Sequence, residues 1–360
     1  MRILIVAKKN DPHVAAVEWG LQQMGVQPSI WYWEDFPRVG QASYSIGPDA
    51  APAASLDLGD GQPQGGFDVV WLRRMGKTTA MDGAHPDDLA VIEQASEHFV
   101  RVVLPYLGHA GTRWINEYYA NEACENKLRQ LALARECGFT IPDTLVGNSV
   151  DAVRAFFDKH DGRIIHKSFA PATWNNADGS RTAARTSAVA RAHLQSDYAL
   201  RACPGIYQQR IDKQHELRVT VMGSAAIAAL IDSQRDGPAL DWRMDGGRGM
   251  SNLHATTLPP GLEQQCVRYC ARLGVAFGCI DLIVTPAGGV VFLEINRWGQ
   301  FLFNEIADPA IPMLDAFCRY LAFGDMRPQA GQPPAISMAA WFASDACRNA
   351  QQARTAVLAA

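Results

Sequence analysis

The sequence predicts an α/β protein of several subdomains, and three observations carry that expectation. The opening hundred or so residues alternate short β-branched runs with helical periodicity, as an open α/β layer does. Further along, strand-like runs follow one another closely, separated by turn residues. A chain of 360 residues is also too long for one small core, so two or three subdomains are expected.

Taken in order, residues 2–7 read as a short buried strand, and 14–24 repeat apolar residues at helical spacing before the stop at Gly25. Residues 29–33 form a second strand that ends at Asp35-Phe-Pro37. The breaker-rich stretch 39–66 reads as meandering edge structure or an exposed loop. A third strand, 67–72, runs into Arg73 and Arg74, and 91–107 is helical. No Gly-x-Gly-x-x-Gly is present, so no dinucleotide site is assigned. Residues 114–121 lead into a helix over 122–137, stopped by Gly138. An extended segment at 140–146, a helix at 150–159 and a strand at 163–167 precede a polar stretch, 168–185. Strands are expected at 206–211, 217–222 and 225–232, then a glycine-rich segment at 244–250 and a helix at 262–273. Beyond 323 a Pro/Gly/Gln linker leads to an alanine-rich helical tail, 336–360. No internal repeat is found. The expected division is 1–112, 113–205, 206–323 and 324–360.

Nearly half the residues are apolar and charge is moderate, as in a soluble globular protein. A net charge of −4 argues against a general nucleic-acid binder. No apolar stretch approaches membrane-spanning length, and the leading run is too short for a signal peptide and meets Lys8-Lys9. Eight cysteines are scattered without a Cys-x-x-Cys, so neither a zinc ribbon nor a redox motif is supported. Cys266 and Cys270, one helical turn apart, read as packing. Reduced thiols in a cytoplasmic protein are the economical expectation.

The chemistry concentrates at residues 280–296. Two strand-like runs, 280–285 and 290–295, flank a turn built from Pro286, Gly288 and Gly289. Antiparallel pairing sets Asp281 beside the Glu294/Asn296 end, and Glu294 and Asn296 share a face because side chains repeat every second residue. Three hard oxygen donors, two of them anionic, then converge as Mg²⁺ with bound phosphates requires. Elsewhere, Lys127 lies on an amphipathic helix. Lys167 ends a strand before a polar loop with Asn175, Gly179 and Ser180, able to fold over phosphates through backbone N–H groups. Tyr207-Gln208-Gln209-Arg210-Ile211 reads as an edge strand whose backbone could read adenine, and Glu216, a short loop later, could accept ribose hydroxyls. Arg218 is expected to share that cavity only if a twist or bulge intervenes. Arg243, in Asp241-Trp242-Arg243, offers a fork for phosphate or carboxylate, while Trp242 is expected to pack. Arg73 and Arg74 either face the same cleft or close a domain interface.

The order of these parts resembles the ATP-grasp superfamily. Asp35-Phe-Pro37, Val70-Trp-Leu-Arg-Arg-Met75, Trp114-Ile-Asn116, Lys127-Leu-Arg-Gln-Leu131, Ile141-Pro-Asp-Thr-Leu145, Glu216-Leu-Arg-Val-Thr-Val221, Asp241-Trp-Arg243 and Phe292-Leu-Glu-Ile-Asn296 with Gly299-Gln300 narrow it. Together they look like the ATP-grasp maturases of ribosomally made peptides, the microviridin-type or graspetide ligases. The resemblance covers roughly residues 1–320; the tail lies outside it. It implies an ATP-grasp fold behind an N-terminal pre-ATP-grasp α/β domain, with ATP and Mg²⁺ as cofactors. By the same resemblance, Lys127 and Lys167 hold phosphates, Gln208 to Ile211 the adenine and Glu216 the ribose. Arg218, Arg243 and Lys167 act on the transferring phosphoryl group, and Asp281, Glu294 and Asn296 hold the metal. Arg297-Trp298 departs from the proline this family commonly has after the Asn, which affects the acceptor site.

The implied reaction activates a side-chain carboxylate of a precursor peptide, leader plus core, as an acyl-phosphate that a hydroxyl or amine then attacks. Neither nucleic acid nor membrane is an expected partner, and a homodimer is compatible with the sequence. Residues 232–249, with Arg235 and Arg248, are a candidate mobile hairpin near the acceptor or else an ordinary surface loop. Two other readings stand beside this one: a small-molecule carboxylate–amine ligase of the RimK-like amino-acid-adding sort, and a nucleotide-binding regulator without turnover.

Overall fold

The computed structural model describes residues 1–79, 81–169, 173–176, 178–183, 185–235, 237, 240–242, 252–331 and 333–359. The first sheet is parallel, in the order β2-β1-β5-β6, from β1 (Ile3–Ala7), β2 (Ser29–Tyr32), β5 (Phe67–Leu72) and β6 (Gly108–Ile115). β1 is buried at every position, which explains its unbroken apolar run. Helix α1 (Pro12–Gln23) crosses from β1, capped by the Asp11 carboxylate on the His13 N–H. Helix α2 (Leu89–Val103) precedes β6, a strand where the sequence predicts only a lead into the next helix. Of the two forms expected for 39–66, edge structure or an exposed loop, the first is found. The stretch forms the antiparallel hairpin β3 (Gln41–Ser45) with β4 (Ala53–Asp57), whose Leu56 is fully buried and ties it to the core.

The expected helix at 122–137 is two helices, α3 (Tyr118–Cys124) and α4 (Lys127–Glu136). Asn126 breaks the run, its side chain accepting from the N–H groups of Leu128 and Arg129 as an N-cap. The second sheet is antiparallel, ordered β11-β8-β12-β7, from β7 (Thr144–Gly147), β8 (Ile164–Lys167), β11 (Ser187–Ala188) and β12 (Gly205–Gln209). Helices α5 (Val150–Lys159) and α6 (Asp197–Ala202) also belong to this region, and Val153, Phe157, Leu200 and Tyr207 share its core. A hairpin, β9 (Thr173–Asn175) with β10 (Arg181–Ala183), occupies the polar stretch after Lys167.

The third sheet, β15-β14-β13-β16-β17, joins β13 (His215–Met222), β14 (Ala225–Ile231), β15 (Leu253–Thr256), β16 (Phe277–Val284) and β17 (Val290–Asn296), all antiparallel. Helix α7 (Leu262–Leu273) covers one face, and Cys266 and Cys270 are packed there; all eight cysteines are free. Helices α8 (Leu302–Ala307), α9 (Met313–Phe323), α10 (Met338–Ala343) and α11 (Asp345–Ala359) end the chain. The tail packs firmly: Met338, Trp341 and Cys347 are buried in the same core as α1 and α9. Trp341 lies 5.7 Å from Trp19, and the Glu305 carboxylate accepts from the backbone of both Leu314 and Met338. Among the described residues no helix is long and apolar enough to cross a membrane.

Candidate functional site

A cleft of about 770 Å³ opens between the second and third sheets, lined among others by Lys127, Lys167, Gln208, Glu216, Asp281 and Glu294. Its floor is the third sheet. Asp281 on β16 pairs directly with Glu294 on β17, and Cys279 with Asn296, so the two acids stand side by side and Asn296 follows on the same face. A bulge after Asp281 slips the ladder by one residue, so that Leu282 meets Phe292, and Leu293 is the extra residue on β17.

Each acid already has a cationic neighbour. Lys127 Nζ donates to Glu294 Oε2 at 2.7 Å, reaching across from the first turn of α4. Arg218 Nη1 lies 2.7 and 2.8 Å from the two Asp281 oxygens, while Nη2 donates to the Gln300 carbonyl at 3.2 Å. Arg218 is buried. Burial works against its charge, but the Asp281 carboxylate outweighs it and holds the guanidinium firmly ionised. Glu216 and Arg218 stand two residues apart on an uninterrupted β13, so they share a face without help. No bulge separates them: the register of β13 against β16 runs without a shift, and the irregularity lies between β16 and β17.

Glu216 is buried as well. Burial pushes its carboxyl above the ordinary glutamate value, and Lys213, 2.6 Å away, pulls it back only in part. Lys213 was not singled out in the sequence; its place three residues before Glu216, in the loop entering β13, was the available signal. β12 is not an edge strand. It sits between β8 and β7, and the backbone N–H groups of Gln209 and Arg210 are bonded to Asp143 and Arg163. A side chain is also available to a base at this strand: Gln208 Nε2 donates to Thr144 Oγ1 at 3.1 Å, whose own hydroxyl donates to the Pro142 carbonyl. That network orients the amide and leaves Gln208 Oε1 buried without a partner. Ile211 lines the same cleft just beyond the strand.

Two carboxylates side by side, open to a cleft and balanced by two cations, suit a hard divalent ion that arrives with phosphate oxygens. Among the described residues no group of three or more His, Cys, Asp or Glu is gathered, so further ligands would have to come from amides, water or substrate. Asn296 is partly engaged. Its Oδ1 accepts from the N–H of Trp298 at 3.0 Å and of Gly299 at 3.2 Å, and it could ligate only by exchanging one of these bonds.

Neither a protein-family model nor a curated protein matches the chain. Solved structures do. The macrocyclase MdnC of Microcystis aeruginosa MRC, bound with precursor peptide MdnA, is 25% identical over 90% of this chain and 100% of its own, with a TM-score of 0.77. MdnB of the same organism is 29% identical over 90% of this chain and 99% of its own, with a TM-score of 0.71. The ATP-grasp ligase PsnB, complexed with a phosphomimetic variant of minimal precursor, Mg and ADP, is 24% identical over 89% of this chain and 97% of its own, at a TM-score of 0.68. This chain carries the ATP-grasp fold of the peptide macrocyclases.

In that frame Trp242 packs, as expected, against Phe303 with ring centres 5.6 Å apart. Arg73, almost fully buried, ties the end of β5 to the carbonyls of Trp298 and Gly299, whereas Arg74 is partly exposed. Arg297 ties the end of β17 to α3: it bonds the Asn121 carbonyl, lies 2.5 Å from Glu125 Oε2 and stacks over Trp298. Lys167 ends β8 at the cleft. Arg243 and Arg248, and most of the candidate hairpin around them, lie outside the described residues.

Proposed function

We propose that the chain is an ATP-dependent ligase that activates a side-chain carboxylate of a precursor peptide and closes an ester or amide crosslink within that peptide. The observation that carries this is the meeting of the Asp281/Glu294 acid pair with Lys127, Lys167 and Glu216 in one cleft of an ATP-grasp fold, with the buried Arg218 bonded to Asp281. The peptide reading is preferred to a small-molecule ligase because the likeness runs to peptide macrocyclases along nearly the whole chain.

Gln208 Oε1, buried and acceptor-only, takes the exocyclic amine of adenine, with Gln209, Arg210 and Ile211 beside the base. Glu216, ionised, accepts ribose hydroxyls. Lys127 and Lys167 hold phosphate oxygens, Lys127 by leaving Glu294. Asp281 and Glu294, with Asn296 at their edge, would hold Mg²⁺, which when bound neutralises charge on the phosphates. The peptide carboxylate oxygen bonds the γ-phosphorus as the β–γ bridge breaks, releasing ADP. Arg218, kept charged by its surroundings, stabilises the oxygens of the transferring group, and Arg243 is assigned the same task by resemblance. A hydroxyl or amine of the peptide then attacks the acyl carbonyl, gives up its proton and expels phosphate. The free thiols support a reducing, cytoplasmic setting.

The test is reconstitution with ATP, Mg²⁺ and a short peptide carrying acidic and hydroxyl or amine residues, encoded beside this chain. Each crosslink appears as loss of one water with one ADP released. Joining of a free amino acid to a small carboxylate would replace the peptide by a small substrate, and nucleotide binding without phosphate release would leave a regulator.

A further inference from the structure

The loop between β17 and α8, residues 297–300, is gripped from three sides. From the third sheet, Asn296 Oδ1 takes the N–H groups of Trp298 and Gly299, and Arg218 donates to the Gln300 carbonyl at 3.2 Å. From the first sheet comes Arg73, immediately after β5 and 1% exposed. Its Nη1 donates to the Trp298 carbonyl and to that of Gly299 at 3.1 Å, while its Nε lies 3.2 Å from Asp11 Oδ2. From α1, His13 Nε2 accepts the Phe301 N–H at 3.2 Å.

The loop has no slack against the sheet beneath it. Gly299 sits at φ +29°, and a Cβ there would come within 2.6 Å of Cys279 Sγ and 2.8 Å of the Phe277 ring. A shift of the Arg73 guanidinium therefore has to move the two N–H groups on Asn296, or the carbonyl on Arg218, since the loop cannot yield toward β16.

We infer that Arg73 is a positioning residue for the reaction. By holding the carbonyls of Trp298 and Gly299 from the N-terminal domain, it sets the placement of Asn296 and Arg218 at the phosphate end of the cleft. This rests on the ligase reading above. It also gives the Asp11–Arg73 ion pair a task beyond closing the interface: the Asp11 charge, 3.2 Å from Nε, holds the guanidinium on this side while Nη1 meets the loop.

Arg73→Lys tests it, because lysine keeps the charge opposite Asp11 but has one nitrogen where arginine uses two. A second variant, Asp11→Asn with Arg73→Gln, removes both charges and guards against a buried unpaired acid. Each is assayed for melting temperature, Mg·ADP affinity by calorimetry, kcat, KM for ATP and Mg²⁺ dependence. A folded variant should bind Mg·ADP within about threefold of wild type yet lose on the order of 10²-fold in kcat, the scale of a misplacement near 1 Å. The Mg²⁺ concentration for half-maximal rate should rise. Folded variants with wild-type kcat and Mg²⁺ dependence overturn the inference, as does a kcat loss that merely follows melting. Absence of Mg·ATP-dependent turnover in the wild-type protein overturns the ligase reading instead, and this one with it.

Discussion

Glu294→Ala and Asp281→Ala should both stop catalysis and differ sharply in stability. The two acids face each other across β16 and β17, but their cationic partners stand in different surroundings. Glu294 and Lys127 keep 26% and 32% of their side-chain surface. A pair so accessible contributes about 0–1 kcal/mol, and its loss leaves a lysine that water can solvate. Asp281 and Arg218 keep 14% and 6%. Removing Asp281 strands a guanidinium whose Nε already has no partner, and breaking a buried pair in this way costs about 3–5 kcal/mol. In activity each loss removes a stabiliser of developing charge, worth on the order of 10²–10³ in rate. Phosphate release with peptide and ordinary Mg²⁺ reads the first effect, and the denaturant midpoint reads the second. Turnover retained by Glu294→Ala would show that the metal ligand is misplaced. Equal stability of the two variants would show that the Arg218–Asp281 contact carries no burial cost.

Ribose binding by Glu216 needs its ionised form, and burial has raised that group, so the KM for ATP should climb as pH falls, starting above the ordinary glutamate value of 4.5. Glu216→Gln should flatten that profile while raising KM throughout. His13 is held neutral by burial and by the neighbouring arginines despite Asp11. The unfolded chain therefore binds the extra proton first, and stability should be full above pH 6.5 and fall as pH drops through it; thermal melts against pH, repeated on His13→Gln, which should lose that step, check the sign. Trp341, 5% exposed against Trp19, anchors the tail, and Trp341→Ala should cost about 3–5 kcal/mol in chemical denaturation. A midpoint unchanged by that substitution would mean the tail does not share the main core.

Much of the third sheet was legible because hairpin chemistry is local. Two β-branched runs around a Pro/Gly turn define their own register, and the register places Asp281 against Glu294. Periodicity of two also puts Glu216 and Arg218 on one face, with no twist or bulge needed. What lay beyond reach depends on long-range pairing. Nothing near Gln208 in the chain shows that β8 and β7 close around its strand, and nothing near Arg73 shows that its partners are carbonyls more than two hundred residues away. The hairpin in 39–66 was hidden because its strands alternate small and polar residues, with Leu56 the one fully buried position. Asn126 could have been recognised as a cap in the sequence, since an amide directly before Lys127-Leu-Arg is a helix start as much as a helix interior.

The resting cleft is close to electroneutral at its acidic end, because each of the two carboxylates expected to bind metal already leans on a lysine or an arginine. A bare divalent ion must displace these countercharges with nothing to offer them. An ion that enters with a polyphosphate hands the displaced cations new anions at the same moment. Loading should accordingly be concerted: titrating Mg²⁺ into nucleotide-free protein should give little heat, and the same titration with ADP present a clear isotherm.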